Sequence, residues 1–139
     1  MNKKYKGIIA IILNDKDEVL MGKKIHKPGH FLSDSWHLPG GKLNDNEEPE
    51  IALKREMLEE LGIEVKVEYH LCDYPVIVNE QVFLSKCFVC KMVNESDELK
   101  PADDLQDAKF FPSNELKDIH NPQIMINWPK ELKSFFGIN

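Results

Sequence analysis

Cysteine, glycine, proline and positive charge are all in short supply in this chain, and each shortage removes a class of protein. Its 139 residues hold three cysteines, at 72, 87 and 90; an odd count closes no disulfide framework and points to a reducing compartment. Cys87 and Cys90 form a CxxC within Val82–Val93, but that run has strand composition, where residues three apart face opposite ways, and no second Cys or His pair stands at zinc spacing. They read as buried strand thiols. The longest apolar stretch, Gly7 to Leu13, is too short to span a bilayer, and no small-residue cleavage site follows it, so a cytoplasmic protein is expected. Seven glycines and eight prolines beside 42% hydrophobic residues exclude collagen-like and disordered chains. Lys plus Arg number 18 against 24 Asp plus Glu, a net charge of −6, so duplex nucleic acid and an anionic membrane surface are repelled on average. A phosphate ligand must therefore be handled locally, through metal ions.

What is present is a chain of ordinary globular composition with no repeat, low-complexity stretch or linker, expected to fold as a single domain over residues 1–139. Lys6–Leu13 and Val19–Ile25 flank the turn-forming Asn14-Asp15-Lys16-Asp17 and predict a β-hairpin. Irregular His26–Ser35 leads through Trp36-His37-Leu38-Pro39 to Gly40-Gly41, read as a tight backbone turn. Pro49–Leu61 predicts a helix: proline suits its first position, Ile51, Leu53, Met57, Leu58 and Leu61 form an apolar arc, and Gly62 stops it. Strands are expected at Ile63–Leu71, Tyr74–Val78, Val82–Val93 and Ala108–Phe111, with a turn at Asn79-Glu80 and short helices starting at Pro112, Pro122 and Pro129. The apolar strands either fill the core or pair across a homodimer.

The helix is too acidic for its own stability. At about 100° per residue, Glu56, Glu59 and Glu60 share an arc of roughly 100° beside the apolar face. Glu56 and Glu60 are a like-charge i,i+4 pair in the last two turns, where the helix dipole is already negative. A solvated stripe explains such a run by itself, but three features point to a ligand. Ala52 lies one turn earlier on the stripe and leaves room, Arg55 stands four residues before Glu59 to orient it, and Gly40-Gly41 lets backbone carbonyls come close. Carboxylates plus a carbonyl are a hard-cation site for Mg²⁺, with Mn²⁺ as the alternative, and Mg²⁺ shares its shell with phosphates.

Gly41, five residues to Glu47, seven to Arg55-Glu56, then Met57, Glu59-Glu60, Gly62 and Ile63 resemble, in type and spacing, the complete box of the Nudix hydrolases. The likeness is strongest over Tyr5–Ile63, where the chain looks MutT-like. It implies an α+β fold, an α/β/α sandwich with a mixed sheet flanked by helices, and Mg²⁺-dependent hydrolysis of a nucleoside diphosphate linked to another group. By position, Glu59 and Glu60 would be metal ligands, Glu56 a ligand or the base that activates water, and the Gly40 carbonyl a further ligand. Arg55 and Glu47 would orient them.

Lys24, Lys42, His37 and Gly41 stand where such proteins contact substrate, although for His37 and the lysines a structural or solvated role is the alternative. Trp128 reads as core. One further acidic ligand is expected among Glu95, Asp97, Glu98, Asp103, Asp104 and Asp107, and counting back from Phe110-Phe111 selects Asp104. Pro75 lies too near the box for the ADP-ribose pattern. A nucleoside triphosphate, oxidised or non-standard, is therefore preferred over ADP-ribose or a nucleotide sugar, and the intact box argues against a non-catalytic nucleotide sensor.

Overall fold

The computed structural model describes residues 5–30, 32–78, 80–119 and 128–138, without the side chains of 76–78. Strand β1 (Tyr5–Leu13) turns into β2 (Glu18–Lys24). The turn forms because the Asn14 side-chain oxygen accepts from the amides of Lys16 and Glu18, at 3.0 and 2.9 Å, while Asp17 takes a left-handed φ of 57°. Short strands β3 (Trp36–His37) and β4 (Gly40–Lys42) precede helix α1 (Pro49–Leu61), and β5 (Val65–Val78), β6 (Gln81–Met92) and β7 (Leu105–Pro112) follow. A 3-10 turn (Ser113–Glu115), helix α2 (Leu116–Ile119) and helix α3 (Lys130–Phe135) come last.

Together the strands make a seven-stranded mixed sheet. β1 runs parallel to β6 and antiparallel to β4, while β2 meets β1 only at the hairpin end and pairs with β3 and β7. Alternation along β1 sends Ile8, Ala10 and Ile12 into a core with Leu53, Met57 and Leu61 of α1, and Ile11 into a second core with Leu116, Trp128, Leu132 and Phe136. Helical layers on both faces make the expected α/β/α sandwich, and burial of each large side chain contributes about 1.5–3 kcal/mol. The cysteines follow the same alternation, Cys90 facing α1 and Cys87 the other core, and all three are buried and free. Trp128 is core, its ring 5.9 Å from that of Phe136.

Several expectations change. Ile63–Leu71 and Tyr74–Val78 are one strand, because irregularities between Val67 and Tyr69 and between His70 and Cys72 absorb the break in alternation while pairing with β6 continues. β7 begins at Leu105, earlier than composition suggested. Ile51 and Leu58 are exposed; the buried arc of α1 is Ala52, Leu53, Met57 and Leu61. Ala52 is fully buried against the sheet, so it borders no ligand space. Gly40-Gly41 is no tight turn but strand β4, paired with Ile9 and Ile8. Glycine is needed there for close approach: a Cβ on Gly40 would stand 2.5 Å from the Ile8 carbonyl oxygen. The Asn79-Glu80 turn is described only at Glu80, whose φ of 67° suits a turn, and the helix expected from Pro122 lies outside the described residues. Among the described residues no helix is long and apolar enough to cross a membrane.

Candidate active site

Helix α1 starts at Pro49 and ends on Gly62, whose left-handed φ of 68° brings its amide to the Leu58 carbonyl at 3.0 Å. The remaining carbonyls at this end are met by the acidic loop before β7: the Lys100 amide donates to Leu61 O at 2.8 Å and the Ala102 amide to Glu60 O at 2.9 Å. That docking brings Asp103 and Asp104 toward Glu60, which no periodicity in the loop announces.

Arg55 is the hub of the helix face. Its Nε and Nη2 grip Glu47 at 2.8 and 2.9 Å, Nη2 also donates to the Lys42 carbonyl at 3.0 Å, and Nη1 donates to Glu56 and Glu59, both at 3.2 Å. All five guanidinium N–H groups are thereby directed. Glu47 also accepts from the Asn44 amide at 2.9 Å, and these bonds, the Arg55 ones foremost, hold its carboxyl down at about 2. Arg55 touches Glu59, the residue it is expected to orient, but its firmest grip is on Glu47 and its reach includes Glu56.

Glu60 behaves oppositely. Burial, then the charge and hydrogen bond of Glu56, then Asp104 and Asp103, push its carboxyl up to about 8. Glu56 is also raised, chiefly by burial, with Arg55 pulling against it. Two half-buried carboxylates thus share a place where a proton or a cation must offset their charge. Glu59 stands apart, its side chain 50% exposed and turned to Arg55. Gly41 faces the pair: a Cβ there would stand 2.6 Å from both Glu56 carboxylate oxygens. Gly41→Ala is expected to push the Glu56 carboxylate aside and lower turnover at least tenfold with folding intact, since the displaced group is the free end of a side chain; a kinetic comparison with circular dichroism checks both halves.

Among the described residues no three His, Cys, Asp or Glu side chains form a ready metal cage. The Glu56–Glu60 pair beside Gly40 is instead an incomplete, oxygen-only donor set, the kind that suits Mg²⁺, which fills its remaining positions with water and phosphate oxygens. Strand alternation supports the Gly40 carbonyl's part: Ala10 N bonds Pro39 O and Leu43 N bonds Lys6 O, so Ile9 and Gly40 form a non-bonded pair and the Gly40 carbonyl points away from β1.

The other expected residues are placed unevenly. Lys24 ends β2 only 7% exposed, its Nζ 3.0 Å from an Asp104 carboxylate oxygen, so the two residues read separately from the sequence are partners. Lys42 has an exposed side chain, and its backbone carbonyl makes the contact just described. His37 Nδ1 donates to the Leu38 carbonyl at 2.9 Å, and its Nε2 is the one buried side-chain polar atom among the described residues without a hydrogen-bond partner. Burial lowers the His37 pKa, which keeps the ring neutral and Nε2 an acceptor. His30, which no motif in the sequence singles out, lies near Lys24, Lys27 and Asp104, and its Nδ1 accepts from the Leu32 amide at 3.1 Å.

Comparison with known proteins agrees with this geometry. The family model described as the NUDIX domain matches residues 3–132. An 8-oxo-dGTP diphosphatase from Proteus vulgaris is 36% identical over 105 residues, 72% of this chain and 89% of that protein. An RNA pyrophosphohydrolase from Ectopseudomonas mendocina is 43% identical over 61 residues, 43% of this chain but only 35% of its own length. The crystal structure of a MutT protein from Methanosarcina mazei Go1 superposes with a TM-score of 0.72 at 21% identity, covering 99% of this chain and 94% of that one, a likeness of fold. With the family's spacing intact from Gly41 to Ile63 and its model matching nearly the whole chain, the protein belongs to the Nudix family, as a MutT-like pyrophosphohydrolase that acts on acid anhydrides.

Proposed function

We propose that the chain is a divalent-metal-dependent hydrolase of the pyrophosphate linkage in nucleotides, and that its substrate is a nucleoside triphosphate, oxidised or non-standard, cut to the monophosphate and pyrophosphate. The observation that carries this reading is the half-buried Glu56–Glu60 pair beside Gly40-Gly41, aligned by Arg55. The substrate class is supported by the 8-oxo-dGTP diphosphatase relative, matched over 89% of its length. Glu56, Glu60 and the Gly40 carbonyl, with Glu59 and Asp104 from the same acidic neighbourhood, would hold Mg²⁺, which would neutralise phosphate charge and make an attacking water more acidic.

Within that frame Glu56 takes the proton of the attacking water, a role its burial-raised pKa suits. Water oxygen adds to one phosphorus of the α–β linkage, the bridging P–O bond breaks, and the half across the bridge leaves with the electron pair, so that the products are the nucleoside monophosphate and pyrophosphate. Arg55 and Glu47 hold Glu56 and Glu59 in place, while Lys24 and Lys42 meet the phosphates and His37 and Gly41 the remainder of the substrate. Residues 1–139 acting as one domain, in the cytoplasm, is the accompanying reading, supported by a β1 that serves both cores and by three free cysteines.

Lys24 tests the substrate class. Lys24→Met keeps the buried stem and removes the charge, and should cost a triphosphate about 1.5–3 kcal/mol in kcat/KM, the scale of one charge-assisted hydrogen bond. A diphosphate joined to a neutral sugar should lose less. Product analysis over a substrate panel decides between them: pyrophosphate with a nucleoside monophosphate supports the triphosphate reading, and dominant release of a sugar phosphate overturns it in favour of ADP-ribose or a nucleotide sugar.

A further inference from the structure

The three cysteines divide into a pair and a single residue. Cys90 lies in the core under α1, whereas Cys72 and Cys87 lie in the core on the other side of the sheet. Cys72 of β5 stands directly opposite Cys87 of β6 in the antiparallel ladder. An irregularity sets that register: His70 pairs with Phe88 and the next pair is Cys72 with Cys87, so the extra residue Leu71 carries Cys72 into the place across from Cys87. Without it Leu71 would face Cys87, and no two thiols would meet.

Opposed residues of an antiparallel pair have Cα atoms about 4.5 or 5.5 Å apart and side chains on one face, and both spacings fall within the roughly 4.4–6.8 Å that a disulfide spans. The two thiols are already hydrogen-bonded to each other. Their surroundings give them different parts. Cys72 lies on the edge strand of the sheet and is 6% exposed, and the hydrogen bond from Cys87 lowers its thiol pKa, which favours the reactive thiolate. Cys87, on an inner strand, is fully buried with its thiol pushed up. Cys90 is fully buried as well, its thiol pushed up to about 12 by burial, and it faces the opposite core with no cysteine beside it.

We propose that Cys72 and Cys87 are a modification site, a dithiol that hydrogen peroxide converts to an intrachain disulfide latching edge strand β5 to β6. The Cys72 thiolate attacks the peroxide, takes one oxygen to become a sulfenic acid and releases the other as hydroxide. The Cys87 sulfur then attacks the Cys72 sulfur: the S–S bond forms, the S–O bond breaks, and the leaving hydroxide takes the Cys87 proton as water. In sum the two thiols give up two electrons and two protons, and one peroxide becomes two waters. A dithiol reductant reverses the change by thiol–disulfide exchange. The bond lies on the sheet face away from α1, so it fixes the edge strand without touching Glu56 or Glu60. The proposal is independent of the substrate class and stands if the triphosphate reading falls.

The test treats the folded, full chain with hydrogen peroxide, stops the reaction by alkylating the remaining thiols, and maps the products by peptide mass spectrometry. Two of the three thiols should disappear together into a Cys72–Cys87 crosslink, at a rate at least tenfold above that of Cys90 oxidation, and dithiothreitol should restore both. Closing the loop between them should raise the melting temperature by about 5 °C or more. Cys72→Ala should leave Cys87 a free thiol under the same treatment. If that variant melts far below wild type, Cys90→Ala, which keeps the pair, should form the crosslink at the wild-type rate. Absence of the crosslink in folded wild type, a crosslink through Cys90 or between two chains, or a melting temperature that falls as the crosslink forms overturns the proposal.

Discussion

Glu60→Gln should lower kcat at least a hundredfold with Mg²⁺ while the protein remains folded. The substitution keeps volume and removes one charge from a pair that the fold holds close, and loss of a metal-directed carboxylate is costly to activity. Its effect on stability should have the opposite sign. Burial and the Glu56 charge raise the Glu60 carboxyl from 4.5 to about 8, so the folded chain keeps a proton that the unfolded chain has already released. The stability this contributes is complete below about pH 4.5 and is lost as pH rises to about 8. After allowance for solvent screening, the loss amounts to about 2 kcal/mol, or about 5 °C in Tm for a domain of this size. Metal-free wild type should therefore melt lower at pH 8 than at pH 5 by that amount, and Glu60→Gln should show a flatter profile. Thermal melts at both pH values in chelator measure this. A variant with wild-type turnover, or one that melts lower than wild type at pH 8, counts against the role given to Glu60.

Arg55→Lys should reduce kcat about 10- to 100-fold and leave KM within about threefold. Lysine keeps the charge but offers three rotatable donors where the guanidinium directs five, so it cannot hold Glu47 in two places while reaching Lys42 O, Glu56 and Glu59. Glu47→Gln disturbs the same relay from its other end and should produce the same split, more mildly. Steady-state kinetics with a nucleoside triphosphate separates the alternatives: a rise in KM at constant kcat would put Arg55 on the substrate itself.

The hairpin, α1 with both its ends, and the strand identity of Val82–Val93 were legible because turn chemistry, caps and β-branched composition are local signals. The α1 constellation was legible for a different reason: carboxylates stacked at a helix end oppose local stability, so their presence asks for an external partner. What stayed hidden depends on distant chain segments. Ala52 read as a gap in the acidic stripe and is core, because only the sheet packed above it decides which side of the helix is inside. Gly40-Gly41 read as a turn, since sequence cannot tell a glycine kept for its φ from one kept because Ile8 and Glu56 crowd it. Lys24 and Asp104 carry unrelated sequence signals, and their 3.0 Å pairing needs the β2–β7 register to bring residues 80 apart together.

Metal-dependent pyrophosphate release is the most direct signature of the proposed chemistry. Wild-type protein should be given a panel of nucleoside triphosphates, standard and oxidised, with nucleotide sugars and ADP-ribose alongside, once with millimolar Mg²⁺ and once with excess chelator, and the products resolved by phosphorus NMR. Pyrophosphate and a nucleoside monophosphate should appear in equal amounts from at least one triphosphate, only with the metal, and at least a hundredfold more slowly with Glu60→Gln. Equal turnover in chelator, or orthophosphate as the sole product, would contradict that chemistry.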